Sequence, residues 1–487
     1  MRCLSLAAVL RGHGALVHFV SRLHDGHLCD LIRERGYPVL ELATPTANTD
    51  SSTESDYLAW LGVTWRDDAE ETAAVIDSLG FKPDWLIVDH YALNSNWEKS
   101  IRDSVARIMV IDDLADRKHD CDLLLDQNLY ADADTRYLSL VPERCQLLVG
   151  PRFALLREEF RVARASVTVR SGSIRRILVF FGGMDSADCT TSALDALVDI
   201  DLHAVHVDVV IGDQHKNRAK IESICGSRNF ECHVQTNRLA QLMSAADIAI
   251  GAGGSATWER CCLGLPCLTF VVADNQRQLV IDAALAGVLC APDAGPENSE
   301  AVAAHLRSFV DNRLLRESIS RKSMAIVDGY GADRVRQAIG VFSMSVREAV
   351  KGDSKQIFEW RNSTSVRDVS LNSAPIEWTT HCAWFESVIT DSDRLLLVGE
   401  TDGQSVGVVR FDITGDEANI SIYLVRGQSN RGYGTELLLV AEQWLVNARP
   451  DVQILRAEVL IANGKSHKLF SGAGYSADTT EFCKRLN

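Results

Sequence analysis

Short apolar runs that end in polar or acidic residues, and lead into stretches with helical spacing, recur through the first two thirds of the chain. Cys3 to Arg11 carries apolar residues at helical spacing, Gly12 and Gly14 stop it, and Ala15-Leu16-Val17-His18-Phe19-Val20 reads as a strand. Asp84 to Asp89 and Ile108 to Asp112 read as further strands, and Leu147 to Pro151 closes the block. Residues 156–175, rich in arginine and small polar side chains, read as a helix plus linker. A second alternating block follows, with strands at Arg176–Phe181, His206–Gly212, Asp247–Gly251 and Leu268–Val272. Runs of this kind belong to parallel sheets crossed by helices.

Two α/β blocks of similar size predict a pair of Rossmann-like domains, at residues 1–160 and 175–340, with a ligand cleft between them. Near Ser343 the pattern changes. Val346 to Arg361 reads as strand then helix, Leu395–Gly399 and Gly407–Phe411 as antiparallel strands, and Gly432 to Asn447 as one long helix. A third, α+β domain is expected over residues 345–487, a normal domain size.

Composition narrows the function classes. A chain of 487 residues with 46% hydrophobic and 24% charged positions can bury several cores. No apolar run approaches the roughly 20 residues that span a bilayer, and Met1-Arg2-Cys3-Leu4 lacks the layout of a secretory signal. The 13 cysteines are scattered without metal-ligand spacing, as expected of reduced thiols in a cytoplasm, so neither a disulfide framework nor a metal site is expected. A net charge of −16 argues against nucleic acid or an anionic membrane as partner. An anionic substrate would have to be held by local devices, such as glycine-rich backbone.

One such device is Gly251-Ala252-Gly253-Gly254-Ser255-Ala256-Thr257-Trp258-Glu259-Arg260, which follows a strand and opens a helix. Glycines let backbone approach a phosphate, Ser255 and Thr257 add hydroxyl donors, and Glu259 is placed to accept from ribose hydroxyls. Glycines alone fit a ligand-free tight turn equally well. Glu259, together with Asp274-Asn275-Gln276 after the next strand, favours a nucleotide site at the carboxyl edge of the sheet.

This segment, with Gly264-Leu265-Pro266 and Ala273-Asp274-Asn275-Gln276, resembles the UDP-sugar hydrolases of pseudaminic acid synthesis. Asp89-His90-Tyr91, Ile111 to Arg117, Asp122 to Asn128 and Gly150 to Arg157 carry the resemblance over roughly residues 1–340. It implies a glycosyltransferase-B-like fold and release of UDP from UDP-2,4-diacetamido-2,4,6-trideoxy-β-L-altropyranose by water. It also implies phosphate contacts at Gly253, Gly254, Ser255 and Thr257, ribose at Glu259, and sugar or diphosphate at Asn275, Gln276 and Tyr91. The family's general base is a histidine in a Gly-x-Gly-His-x-Met-Arg-Cys pattern, and this chain enters that pattern at Met1-Arg2-Cys3. The expectation is therefore that the first strand and the catalytic histidine are absent as written and that the true start lies upstream. His90 is the best remaining candidate base, with substrate positioning its first role; His13 and His18 read as structural.

Val425-Arg426-Gly427-Gln428-Ser429-Asn430-Arg431-Gly432-Tyr433-Gly434-Thr435 joins a strand to the long helix and resembles the pyrophosphate turn of GNAT acetyltransferases. Asn463, Ser466, Gly472, Gly474 and Tyr475 match that family's later segment. Trp360-Arg361-Asn362, with His381 and Trp384, resembles the branch that acetylates amino groups on nucleotide-linked sugars. The likeness, over about residues 345–487, implies acetyl-CoA as co-substrate, bound by Val425, Arg431, Gly432, Tyr433, Gly434, Thr435 and Asn463. Val425 would supply a backbone donor for the oxyanion. Ser429 and Phe470 depart from the family's pattern, so Tyr475, Tyr423 or water would serve as acid, and Glu417 as a base acting through water or merely as an exposed turn carboxylate.

The two resemblances together predict a fusion that acetylates a UDP-linked 4-amino sugar and then removes UDP. A glycosyltransferase and a non-catalytic UDP-sugar scaffold serving the acetyltransferase are the alternatives. The sequence sets no oligomeric state.

Overall fold

Apolar runs buried on both sides build the parallel sheets of this chain. The computed structural model describes residues 1–45, 60–198, 205–293, 295–296, 298–342, 344–401, 403–425, 433–478 and 481–485. They form two compact units, Met1–Ile339 and Gly340–Asn487.

The first unit opens with α1 (Arg2–Gly12), β1 (Phe19–Arg22), α2 (Cys29–Glu34) and β2 (Val39–Leu42), and β1 and β2 pair in parallel. The strand expected over Ala15–Val20 thus forms later in the chain. It ends on Arg22, whose buried guanidinium holds Asp68 at 2.7 Å and the Ala43 carbonyl at 3.0 Å, an anchor that a count of apolar residues misses. Next come α3 (Trp65–Asp77), β3 (Trp85–Val88), α4 (Ser95–Ile101), β4 (Arg107–Ile111), β5 (Leu123–Asp126) and β6 (Gln146–Val149), with β3-β4-β5-β6 a second parallel sheet. Thr64 caps α3 by accepting from the Asp67 N–H, and Asp67 and Asp68 sit in the first turn, where the helix dipole favours negative charge.

After α5 (Glu158–Arg164) the second block runs β7 (Arg176–Phe180), α6 (Cys189–Val198), β8 (His206–Ile211), α7 (Arg218–Arg228), β9 (Glu231–Val234), α8 (Leu239–Ala245), β10 (Ile248–Ala252), α9 (Ala256–Cys262), β11 (Cys267–Phe270) and α10 (Arg277–Leu285). Its sheet is parallel throughout, in the order β11-β10-β7-β8-β9. The chain moves outward from β7 to β9, then returns to the other side of β7 with β10. That reversal makes a topological switch point between β7 and β10, where the ends of two loops diverge and leave a crevice. The helices α11 (Ser299–Asp311), α12 (Arg313–Ile326) and α13 (Gly331–Ala338) complete the unit. A Cβ on Gly331 would stand 2.2 Å from the Ala154 carbonyl oxygen, so α13 starts hard against the first block, and Trp85 donates to the Ile339 carbonyl at 2.9 Å.

The second unit runs β12 (Ser345–Glu348), α14 (Ser354–Arg361), α15 (Thr364–Arg367), α16 (Trp378–Val388), β13 (Arg394–Thr401), β14 (Gln404–Thr414), β15 (Glu417–Leu424), α17 (Tyr433–Ala448), β16 (Ile454–Glu458), α18 (Gly464–Gly472), β17 (Ser476–Asp478) and β18 (Glu481–Arg485). The sheet order is β12-β13-β14-β15-β16-β18-β17, antiparallel except for β15 with β16. Strand β15 pairs with β14 along its whole length but with β16 only over Glu417–Asn419, so its later half splays away. Leu437 and Leu438 of α17 pack on one face with Val409 and Phe411; Ile357 and Phe385 of α14 and α16 pack on the other with Val408. Among the described residues no helix is long and apolar enough to cross a membrane.

Candidate functional site

In the first unit a cavity of about 340 Å³ opens at the carboxyl ends of the four- and five-stranded sheets. One wall comes from the first block, where Asp89 follows β3, Asp113 follows β4, and Gln127 and Asn128 follow β5. The other is the turn between β10 and α9 with Gly254 and Ser255, Glu259 in the first turn of α9, and the Asp274–Gln276 turn with Asn275 and Gln276.

The glycine turn is dictated by its crowding. A Cβ on Gly253 would lie 2.6 Å from Val280 Cγ2, and Gly254 has φ +107°, a conformation side chains rarely adopt. Arg260, buried behind the turn, donates to the Ala252 carbonyl at 2.7 Å and the Thr257 hydroxyl at 3.2 Å. Trp258 donates to Asn128 Oδ1 at 2.9 Å, tying α9 to the opposite wall. Arg157 reaches Glu259 at 3.3 Å; burial pushes the Glu259 carboxyl up, and the Arg157 charge opposes that rise.

On the facing wall Arg2 binds Asp89 at 2.6 Å and Asp113 at 3.3 Å. Burial disfavours the Asp89 charge, but hydrogen bonds from Arg2 and Cys3 outweigh it and hold the carboxyl below its ordinary value. Tyr91 donates to Asp113 Oδ1 at 2.7 Å and Asn128 to Oδ2 at 3.3 Å. Burial, then the Asp113 charge, pushes the Tyr91 phenol up, so it stays a donor at neutral pH. The arrangement offers fixed carboxylates on one side and amide, hydroxyl and backbone donors on the other.

Of the residues singled out from sequence, Tyr91, Gly254, Ser255, Glu259, Asn275 and Gln276 line this cavity. Three do not. Gly253 is buried against α10, and Thr257 is buried with its oxygen accepting from Arg260. His90 accepts from the Ala92 N–H at 3.1 Å, and burial lowers its pKa; its ring lies off the cavity while its neighbours Asp89 and Tyr91 line it. Sequence reading gave no role to Arg2, Asp113, Asn128 or Arg157. For Asp113 and Asn128 the signal was position, since a polar residue just past a parallel strand faces the ligand edge of the sheet.

Behind Asp113, the Asp126 carboxyl is buried, accepting from the Tyr137 hydroxyl at 3.0 Å and the Asn128 N–H at 2.9 Å, with Arg136 at ion-pair distance, 3.7 Å. Burial pushes it up to about 7 against those stabilising partners. Its folded value lies above the ordinary 3.8, so its contribution to stability is present below about pH 4 and lost as pH rises to about 7. Asp126→Asn is accordingly expected to gain stability over the parent across that window, by up to about 4 kcal/mol. Parallel stability curves from pH 4 to 8 in denaturant titrations would refute this.

Two carboxylate–histidine groups, Asp185–Asp188–His215 and His206–Asp208–Glu231, bring their ligand atoms within 4.8 Å of one another. Asp185 already accepts from Cys189 and Thr190 and Asp208 pairs with Arg176, so both are hydrogen-bonded networks in their own right.

In the second unit the splay of β15 makes the opening. Residues 426–432, with Arg431 and Gly432, lie outside the described residues. Tyr433, Gly434 and Thr435 form the first turn of α17. Val425 is not the free donor expected, because its N–H bonds the Val406 carbonyl at 2.9 Å. Backbone groups alternate sides along a strand, so the Leu424 N–H faces the splay instead. Tyr475 is buried and donates to Glu442 at 2.8 Å, a packing role. Glu417 is neither on a turn nor near the splay. It starts β15, roughly 26 Å along the extended strand from Val425, and forms a two-bond pair with Arg456 at 2.7 and 2.8 Å. That pair holds its carboxyl below the usual range. Asn463 caps α18, accepting from the Ser466 N–H at 3.1 Å. His381 is buried with Nε2 2.8 Å from the Ser354 carbonyl.

Residues 355–475 match the acetyltransferase (GNAT) family, so the chain carries a GNAT acetyltransferase domain at its C-terminal end. Over 412 residues the chain is 22% identical to uncharacterized protein MJ1062 of Methanocaldococcus jannaschii, covering 81% of each. It is 29% identical to the spore coat polysaccharide biosynthesis protein SpsG of Bacillus subtilis, over 42% of this chain and 60% of that one. Over 76 residues it is 42% identical to the UDP-2,4-diacetamido-2,4,6-trideoxy-beta-L-altropyranose hydrolase of Campylobacter jejuni, 15% of this chain and 27% of that enzyme. The chain therefore spans less than two thirds of the last two relatives. Among solved structures, aminoglycoside acetyltransferase AAC(6')-Ib with coenzyme A is similar over 29% of this chain and 95% of its own, at 15% identity and TM-score 0.27.

Proposed function

We propose that the chain acts twice on one UDP-linked sugar. Its second unit acetylates the 4-amino group with acetyl-CoA, and its first unit then releases UDP from the 2,4-diacetamido-2,4,6-trideoxy-β-L-altropyranose product by water. The observation that carries this reading is the cavity whose walls oppose Asp89 and Asp113 to Gly254, Ser255, Asn275 and Gln276. The relatives of spore-coat polysaccharide and UDP-sugar metabolism and the GNAT match support it.

In this reading the turn at Gly254 and Ser255 and the amides of Asn275 and Gln276 hold the diphosphate, replacing the solvation that a chain of net charge −16 does not supply through its overall field. Glu259 takes the ribose hydroxyls. Asp113, held by Tyr91, Asn128 and Arg2, accepts the proton of the attacking water, while Asp89 and Arg2 set its position. For acetyl transfer, the Leu424 N–H in the splay stabilises the oxyanion formed when the neutral amine attacks. Two consecutive steps on one chain raise the local concentration of the shared intermediate.

The deciding experiment incubates the chain with a UDP-4-amino-4,6-dideoxy-N-acetyl-β-L-altrosamine substrate and acetyl-CoA, following coenzyme A and UDP separately. Coenzyme A release followed by UDP release without any added sugar acceptor is expected. UDP release that requires a sugar acceptor would make the first unit a glycosyltransferase, and acetylation with no UDP release would make it a binding scaffold.

A further inference from the structure

On β14 and β15, Val408 stands opposite Tyr423 and Arg410 opposite Ser421, so Arg410 and Tyr423 share one face as diagonal neighbours. That face is covered by α14 and α16: Tyr423 packs against the cluster that holds Ile357 and Phe385, and the Arg410 guanidinium lies 6.0 Å from the centre of the Trp384 ring. Arg361 ends α14 and Arg367 ends α15. Arg361 donates to the Asn372 carbonyl at 2.9 Å, and Arg410 pairs with Asp412 at 2.8 Å. Four polar atoms here are nevertheless buried without a hydrogen-bond partner: Arg361 Nη1, Arg367 Nε, Arg410 Nε and the Tyr423 hydroxyl. Among the described residues neither Arg361 nor Arg367 has a carboxylate in ion-pairing range.

Buried donors in native proteins are satisfied with few exceptions, and an arginine without a counter-charge is costlier still. Burial and the charges of Arg410 and Arg367 pull the Arg361 guanidinium below its ordinary value, and Asp412, the partner of Arg410, is shared with Arg394 at 3.3 Å. We propose that this face of the second unit binds a phosphate-type anion through Arg361, Arg367, Arg410 and Tyr423, and that the anion is the phosphate group of the acetyl acceptor. The second half of this statement rests on the reading that the acceptor is a UDP-linked amino sugar. Guanidinium forks match phosphate oxygens, and donors from four residues suit a group with several oxygens better than one carboxylate does. The anion is not one bound at the start of α17, because α17 packs on the opposite face, against Val409 and Phe411.

The test is calorimetric titration of the full chain with inorganic pyrophosphate, in the parent and in Arg361→Gln/Arg410→Gln. The double variant is expected to lose a binding event, or to weaken it about tenfold or more. Tyr423→Phe removes one oxygen and keeps the packing, so it serves should the double variant not fold; its Kd is expected to rise about threefold. Identical pyrophosphate binding in the parent and in the variants overturns the site, whichever acceptor the enzyme uses. Acetylation kinetics then separate the two halves of the proposal. In Arg410→Gln the KM for the UDP-linked amino sugar is expected to rise about tenfold or more while that for acetyl-CoA stays put. If pyrophosphate binding depends on these arginines but no UDP-linked amino sugar is acetylated, the anion site stands and the identity of the acceptor falls.

Discussion

Asp113→Asn is expected to slow UDP release by about 10²–10⁴-fold while leaving the Kd for UDP within about threefold. Both carboxylate oxygens are held, Oδ1 by the Tyr91 hydroxyl at 2.7 Å and Oδ2 by Asn128 and Arg2, each at 3.3 Å. Asparagine keeps the shape and one acceptor, so the cavity and its nucleotide wall survive, but the group can no longer take a proton. The donors assigned to the diphosphate lie on the other wall and are untouched, which is why turnover and affinity separate. His90→Gln provides the contrast. That ring lies off the cavity, with Nδ1 accepting from the Ala92 N–H, and its loss is expected to change the rate less than about threefold. A large effect at His90 with none at Asp113 would transfer the role of base to the histidine.

Trp258→Ala is expected to destabilise the first unit by about 3–5 kcal/mol and to weaken UDP binding with it. The indole is fully buried in a core that gathers Phe160 from α5, Met243 from α8 and Leu279 from α10, so its removal leaves a cavity several elements must share. Its N–H also donates to Asn128 Oδ1, and the Asn128 amide in turn holds Asp113. Loss of the ring thus loosens α9, which carries Glu259, and the wall that carries the carboxylates. Trp258→Phe keeps most of the volume and loses only the donor, at a cost of about 1–2 kcal/mol. Denaturant titration distinguishes the cases. A Trp258→Ala midpoint corresponding to less than about 1 kcal/mol would mean that the two walls are joined by other contacts.

Much of the architecture was written in local pattern. Strands β4, β7, β10 and β11 coincide with apolar runs because both faces of a parallel sheet are covered, and α17 follows directly from its long apolar stripe. Strand β9 escaped, since Glu231-Cys232-His233-Val234 lies at a sheet edge with partly exposed side chains and little apolar signal. Strand β5 was legible only as part of a family-like block. Among site residues, Ser255, Glu259, Asn275 and Gln276 could be singled out because their chemistry is local to a turn.

The sequence by itself determined the strands with continuous apolar runs, the glycine turn and the change of pattern near residue 343, because periodicity and turn chemistry act over a few residues. Tertiary structure alone decided which polar groups face a cavity and which are spent on the fold. Thr257 is taken by Arg260 within its own motif, and Tyr475 by Glu442, Glu417 by Arg456 and the Val425 N–H by Val406, the last three by partners distant in sequence. Asp113 and Asn128 gain their place through Trp258, 130 positions from Asn128. A hydrogen bond is satisfied once, and which partner satisfies it depends on distances that only the packed chain sets.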